Sequence, residues 1–488
     1  MDFNQQLTKL GEFGVIEQVH DSIVVASGLP DARLHEIVLF EMGGIGEVYL
    51  LNEDTIEILV FSRTPLIPGM KVTRSDAFLS VPVGEEFLGS TINPLGANLS
   101  AGGRQIAPTQ WREIDVAPPG ISKRAKISSP LVTGVTAIDL MVPLGKGQKE
   151  LVIGDRKAGK TSFLLAAIKS QVSSGAIAIY AGIAKRKSDI KKIQQFLREQ
   201  NLENRTIVVA SSSYDSPSLI YLTPYSAMTI AEYFRDMGQD VILVLDDLSS
   251  HAYFYREIAL VAKRFPGRDA YPGDIFHTHA RLLERAGNFK TETGTASITV
   301  LPVAEVVEGD LTGYITTNLM SMTDGHIFFD GNVYFEGRRP AVNIPLSVTR
   351  VGRQAQSSLL RSINREISAF LTLFERVQNL SHFGAEVSSS VQTTILTGET
   401  IYKYFNQHYN LLIPPPVQVI LFALLWLSFL HVDEETLEET KKQMIESYNN
   451  SLQRELFDEA MKKETFNELL SFVASHKEEF LVLCKTKK

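Results

Sequence analysis

The residues best suited to chemistry stand together in the run Gly154-Asp155-Arg156-Lys157-Ala158-Gly159-Lys160-Thr161. The run fits the spacing Gly-x-x-x-x-Gly-Lys-Ser/Thr, in which the glycines let backbone N–H groups wrap a β-phosphate. In that arrangement Lys160 reaches the β- and γ-phosphate oxygens of ATP, and the Thr161 hydroxyl takes a place on Mg2+. Glu150-Leu151-Val152-Ile153 reads as a strand leading into the loop, and Ser162-Phe163-Leu164-Leu165-Ala166-Ala167-Ile168 as a helix leading out. A helix N-terminus presents unpaired N–H groups and the positive end of its dipole, so strand, loop and helix come in the order that anion binding requires. The candidate phosphate-binding set is Gly154 through Ser162.

A metal beside the phosphates calls for a carboxylate from a second element. The apolar run Val241-Ile242-Leu243-Val244-Leu245 ends in Asp246-Asp247, and a buried strand that delivers an acid at its C-terminal end suits a water-mediated Mg2+ contact. Asp246 is the candidate; the plainer alternative is that both aspartates cap the turn into Leu248-Ser249-Ser250. His277-Thr278-His279 has no third ligand nearby in sequence and reads as structural.

The elements that must position these residues fall into three segments. Residues 1–81 carry short β-branched runs (Val15-Ile16, Ile23 to Val25, Glu36 to Phe40, Glu47 to Leu51, Thr55 to Val60) separated by turn residues, the signature of a small β-barrel. Residues 82–357 alternate strand-like runs such as Ala176 to Tyr180 and Ile207 to Val209 with helical stretches, which predicts a mostly parallel, doubly covered α/β sheet. Residues 358–488 lose strand signals and gain apolar residues at helical spacing, for example Phe466, Leu470 and Val473, which predicts a helical domain. The most apolar run, Val417 to Leu430, would span about 21 Å as a helix, short of the roughly 30 Å of a bilayer core. It reads as a buried core helix.

Composition narrows the function classes. The 488 residues are 44% hydrophobic and 21% charged with net charge −8, so there is ample material for cores and no basic field for a nucleic-acid partner. Cys484 is the only cysteine, which excludes an intramolecular disulfide and a cysteine-based metal site. The N-terminus MDFNQQLTKLGEFG lacks the basic and apolar regions of a secretory signal, so a cytoplasmic location is expected.

Several further runs resemble the α subunit of F-type ATP synthase over nearly the whole chain. They are Ser80-Val81-Pro82-Val83-Gly84-Glu85-Glu86, Thr133-Gly134-Val135-Thr136-Ala137-Ile138-Asp139, Pro266-Gly267-Arg268-Asp269-Ala270-Tyr271-Pro272-Gly273-Asp274, Arg281-Leu282-Leu283-Glu284-Arg285-Ala286 and Ser347-Val348-Thr349-Arg350-Val351-Gly352. The resemblance implies an N-terminal β-barrel, a RecA-like nucleotide-binding domain and a C-terminal helical domain, in a ring where α- and β-type subunits alternate around a γ-type shaft. It implies ATP and Mg2+ as ligands, a δ-type stator contact, and a peripheral place on the cytoplasmic face of a membrane, where the complex couples ATP synthesis or hydrolysis to ion transport. It puts an adenine pocket at Tyr334, Arg339 and Pro340, with a second segment at Asn406 and His408. It also assigns Arg350 as an arginine finger that reaches the γ-phosphate in the adjacent β-type subunit, a role worth roughly 10³ to 10⁵ in kcat.

Three positions depart from the family's pattern. Lys185 stands where catalytic β subunits have glutamate and α subunits usually glutamine. A protonated lysine cannot accept the attacking water's proton, so the subunit is expected to bind ATP with little turnover; a phosphate contact, a salt bridge and a solvated face beside Arg186 and Lys187 are all open for this side chain. Asn406-Gln407-His408-Tyr409 replaces a Gln-Gly-Gln-Tyr run, and only about a dozen residues precede the barrel, so base contacts and stator attachment are expected to differ. The alternative function is a self-sufficient homohexameric RecA-type motor, Rho-like or export-type. The acidic N-terminal segment and Lys185 speak against it.

Overall fold

The computed structural model describes residues 2–62, 65–100, 105–292, 294–381, 389–430 and 433–484. The chain divides into two compact units, one of residues 1–125, 175–305 and 311–323, the other of residues 126–174, 306–310 and 324–488.

The first unit begins with a closed six-stranded barrel. In order around the barrel the strands are Gly14–His20, Ile23–Ser27, Thr55–Val60, Ile45–Leu51, Glu36–Phe40 and Lys71–Phe78, and the last returns to the first. Every neighbouring pair is antiparallel. Alternation sends Ile16, Val24, Ala26, Val38, Val48, Ile56 and Ile58 inward, where they form one apolar cluster. Five strands coincide with the β-branched runs. The sixth, Lys71–Phe78, buries Thr73, Arg74 and Ser75 instead. The buried Arg74 is accommodated because its Nε donates to Glu36 at 3.1 Å and its Nη1 to Glu12 at 3.1 Å. The residues before the barrel form a helix, Phe3–Leu10, with Phe3 buried and the C-terminal Gly11 in a left-handed conformation at φ 67°.

The rest of the first unit is α/β. Strands Gly294–Glu305, Val241–Asp246, Ile177–Lys185, Thr206–Ser212 and Thr91–Ile92 lie side by side in that order, all parallel, with Gly287–Thr291 antiparallel beside the first. Val241–Asp246 is buried at all six positions, as expected for a parallel strand covered on both faces. Helices follow where caps permit. Ser216 accepts the N–H of Leu219 at 3.3 Å to start Pro217–Asp236, and Asp247 accepts that of Ser250 at 2.6 Å to start Leu248–Val261.

In the second unit Glu150–Gly154 runs parallel to Gly325–Phe329, whose other edge takes the short antiparallel strand Val348–Thr349. Helix Lys160–Ser173 follows the first of these strands. Beyond residue 357 the described residues are almost wholly helical: Ser358–Ser381, Ser389–Phe405, Pro415–Trp426, Glu434–Asn449, Ser451–Met461, Phe466–Ser475 and Lys477–Leu483. The apolar run at 417–430 is indeed a core helix, buried without a break from Val417 to Leu425. It ends at Trp426, ahead of Ser428 with its positive φ of 56°. In Phe466–Ser475 the core stripe is Phe466, Leu469, Phe472 and Val473; Leu470 sits one position round, half-buried.

Candidate functional site

In the second unit the phosphate loop has a defined conformation. Gly154 has φ 154°, and a Cβ there would fall 2.0 Å from the Phe329 carbonyl oxygen, so the backbone tolerates only glycine. Gly159, at φ 100°, opens helix Lys160–Ser173 from a left-handed position, and Lys157 adopts φ 64° between them. Phe163 N–H, 3.2 Å from Gly159 O, begins the helical ladder, so the N–H groups of Lys160, Thr161 and Ser162 come before it. Asp155, which the motif leaves unspecified, anchors the loop: its carboxylate accepts Gly309 N–H at 3.0 Å and Gly331 N–H at 3.1 Å. Lys160 is only 8% exposed, and its ammonium donates to Gly154 O at 2.8 Å and Asp155 O at 2.7 Å. Arg156, Lys157 and Thr161 are exposed, Ser162 is half-buried and Ala158 is buried. Such a cradle of glycine-dependent backbone, helix N-terminus and folded-back lysine fits the phosphates of a nucleotide.

Asp246, the carboxylate predicted to stand beside a metal, belongs to the first unit and is fully engaged there. Asp246 Oδ1 lies 2.7 Å from Lys185 Nζ, and Oδ2 accepts the Tyr180 hydroxyl. Asp247 Oδ2 lies 3.1 Å from the same ammonium, while its Oδ1 caps helix Leu248–Val261. Of the two aspartates, then, Asp247 is the cap and Asp246 is not. Burial pulls the Lys185 ammonium's pKa down, but the two carboxylates outweigh it and the net shift is upward, so Lys185 stays charged. Burial, with Asp246 next, pushes the Tyr180 phenol well above its ordinary value. Asp246 already holds a cation, and to that extent it does not fit Mg2+.

The predicted base-binding residues lie in the second unit. The Arg339 guanidinium stacks 3.5 Å from the Tyr334 ring centroid and donates to Tyr334 O at 2.7 Å. Asn406 Oδ1 accepts Arg339 N–H at 3.0 Å, which ties the two predicted segments together next to Pro340. Gln407, between the two predicted residues of that segment, is the buried link: it accepts Thr136 N–H at 3.0 Å, donates to Gly134 O at 2.6 Å, and its N–H meets Arg339 O at 2.6 Å. His408 is exposed, with its ring 4.8 Å from that of Tyr409.

Arg350 follows the edge strand Val348–Thr349. Its N–H donates to Asp324 O at 3.0 Å, and its exposed guanidinium makes no hydrogen bond or ion pair among the described residues. The backbone on either side is fixed. The Thr349 hydroxyl donates to Pro143 O at 2.9 Å and accepts Gly352 N–H at 3.2 Å, and a Cβ on Gly352 would meet Pro143 O at 1.7 Å. Beneath it Glu150 is buried and accepts Gln148 Nε2 at 2.6 Å; burial raises its pKa well above the carboxylate range, with Arg350 opposing. Sequence alone gave no signal for Gln148, which also donates to Thr349 Oγ1 at 3.3 Å, a partner 201 residues away. Of the two histidines in His277-Thr278-His279, His277 is exposed and His279 is buried against His251 at 3.0 Å. Among the described residues no group of three or more His, Cys, Asp or Glu could hold a metal ion.

A closed barrel, a parallel α/β core with a glycine phosphate loop at a strand end, and a helical C-terminus define a RecA-like nucleotide-binding protein. Comparison narrows the class. The model of the ATP synthase alpha/beta family, nucleotide-binding domain, matches residues 134–349. The chain is 36% identical to ATP synthase subunit alpha of Neorickettsia sennetsu, over 99% of this chain and 96% of that protein. Identity to ATP synthase subunit alpha of Mycoplasma genitalium is 36%, over 94% and 88% of the two chains, and to that of Dictyoglomus turgidum 38%, over 87% and 83%. The chain belongs to the ATP synthase alpha/beta family, among its alpha subunits.

Proposed function

We propose that this chain is the non-catalytic, ATP-binding α-type subunit of a rotary F1-type ATP synthase or ATPase, and that Arg350 serves as an arginine finger for the site of a neighbouring β-type subunit. The observation that carries the reading is the Lys185 ammonium, clasped by Asp246 at 2.7 Å and Asp247 at 3.1 Å at the position where a catalytic subunit has its acid. A charged ammonium cannot take a proton from attacking water. Both aspartates are bound to it, so neither offers a free carboxylate in its place. The phosphate loop supports ATP binding, and the Tyr334–Arg339–Asn406 cluster supports recognition of the base by stacking and backbone contacts. Support for the finger comes from the exposed guanidinium of Arg350, unpaired among the described residues, on a backbone held by Thr349 and Gly352, since transition-state stabilisation depends on donors positioned before the reaction.

The complex would pair the chain with β-type subunits around a γ-type shaft, with a δ-type stator contact, and sit peripherally on the cytoplasmic face of a membrane, where it couples ATP synthesis or hydrolysis to ion transport. No helix among the described residues is long and apolar enough to cross a membrane. The first test is equilibrium ATP binding beside steady-state ATPase activity for the isolated chain. Saturable binding with negligible turnover is expected. Robust turnover by the chain alone would sink the non-catalytic reading in favour of a self-sufficient motor.

A further inference from the structure

We infer that the nucleotide site of this chain does not select adenine: a nucleotide of a 6-oxopurine, guanine or hypoxanthine, binds about as well as ATP, with His408 as the donor that favours the 6-oxygen. The inference rests on the reading of the phosphate loop as the ATP site and of Tyr334, Arg339, Asn406 and His408 as the place of the base. Every residue it uses lies in the second unit.

The phosphate end and the base end are fastened to each other. Asp155 of the loop accepts the N–H of Gly331 at 3.1 Å, and Gly331 opens the helix Gly331–Phe335 that carries Tyr334. Lys169, on the helix that leaves the loop, donates to Asn410 O at 3.0 Å and so holds the segment that carries His408. At the base end the Arg339 guanidinium lies 3.5 Å from the Tyr334 ring centroid. Any purine can extend such a stack, because every base has a π-face. Selection must then come from the base edge, where adenine presents the N6–H2 donor and a 6-oxopurine presents the O6 acceptor. A site that chooses adenine needs an acceptor there, and the acceptors around this stack are spent. Asn406 Oδ1 takes Arg339 N–H at 3.0 Å, and Gln407 Oε1 takes the N–H and the hydroxyl of Thr136, both at 3.0 Å. Arg339 O takes Gln407 N–H at 2.6 Å, Tyr334 O takes Arg339 Nη1 at 2.7 Å, and Glu336 pairs with Arg338 at 3.2 Å. The Arg339 guanidinium can only donate, and the Tyr334 hydroxyl donates or accepts by rotation and so chooses neither base. His408 is exposed, and its Nδ1 accepts Asn410 N–H at 3.3 Å, which puts the proton of the neutral ring on Nε2. That N–H suits a 6-oxygen and opposes a 6-amino group.

The test is calorimetric titration of the full chain with ATP and with ITP, whose hypoxanthine carries the 6-oxygen without guanine's 2-amino group, at one saturating Mg2+ concentration. The proteins are the wild type, His408→Gln and Arg339→Ala. Glutamine at position 408 brings a carbonyl oxygen as an acceptor, and the site is exposed, so the fold is spared. A good two-point base contact discriminates by roughly 5- to 150-fold. In the wild type ITP is expected to bind within about fivefold of ATP or more tightly, and His408→Gln should shift the ratio toward ATP by about fivefold or more. A wild-type preference for ATP beyond about fivefold overturns this inference, and an unchanged ratio in His408→Gln overturns the role given to His408. Absence of saturable binding by either nucleotide overturns instead the ATP-site reading on which it rests, and Kd values that Arg339→Ala leaves unmoved overturn the placing of the base.

Discussion

Replacing Gly352 by alanine adds a single methyl group two residues from Arg350, and the structure says what that group meets. The new Cβ would lie 1.7 Å from Pro143 O, 2.5 Å from Pro143 C and 2.8 Å from Thr349 Oγ1. Real Cβ contacts essentially never fall under 3.0 Å, so one backbone must yield by about 1.3 Å along the worst contact. The obstacle is a carbonyl rather than the end of a flexible side chain, and the Thr349 hydroxyl that joins Pro143 O to Gly352 N–H is strained in the same movement. Overpacking of this kind costs about 1–3 kcal/mol. The functional effect is expected to be larger than the structural one, because a misplacement of about 1 Å in a catalytic group can cost roughly 10² in rate. The assay has three parts on Gly352→Ala: urea unfolding, ATP binding by the isolated chain, and ATPase activity after assembly with the β-type partner, with gel filtration to show that the complex forms. The expected outcome is a modestly destabilised chain, unchanged ATP binding and turnover reduced about 100-fold in an intact complex. Wild-type turnover by an assembled, measurably destabilised variant would refute the claim that this backbone clamp positions Arg350.

Two further predictions concern the frame around the site. Arg285 is 1% exposed, with Nε 3.2 Å and Nη2 2.5 Å from the Glu232 carboxylate and Nη1 2.8 Å from Ile114 O, so Arg285→Met should cost about 3–5 kcal/mol in urea unfolding. Most of that loss should return in Arg285→Met/Glu232→Leu, and a double variant no more stable than the single one would show that the pair does not carry the effect. Burial lowers the His251 pKa to about 4 from an ordinary 6.5, with Tyr221 O and Asp247 opposing. Its folded value is depressed, so the imidazole is neutral when folded. The stability this represents is present above pH 6.5 and is lost as pH falls toward 4. Unfolding at pH 7.5 and pH 5 should differ by about 2 kcal/mol more in the wild type than in His251→Phe; equal pH dependence would rule His251 out as the titrating group.

What the sequence made legible follows from how local each signal is. The phosphate loop is contiguous, with its own strand and helix, and its glycines occupy the conformations that its spacing calls for. Five barrel strands declared themselves through β-branched alternation, whereas Lys71–Phe78 did not, because it buries Thr73, Arg74 and Ser75 and is made acceptable by Glu12 and Glu36, far away in the chain. Lys185 was recognisable as an odd residue at a telling position. Its partners are Asp246, which ends the neighbouring strand, and Asp247, which follows it as a helix cap, and no spacing rule links them to Lys185. Tyr334 and Arg339 were expected together and are stacked, yet Gln407, which fastens their segment to Thr136 and Gly134, carries no motif and shows itself only once the chain is folded.

The central claim, a subunit that holds ATP and lends its arginine to a partner, is tested most directly by the ATPase activity of the complex assembled with the β-type partner, with and without Arg350→Ala. Arg350 makes no side-chain hydrogen bond or ion pair among the described residues, so its removal should leave folding, assembly and ATP binding by this chain intact. The account predicts that turnover of the assembled complex falls by roughly 10³-fold or more. An intact Arg350→Ala complex that turns over ATP at the wild-type rate would contradict it.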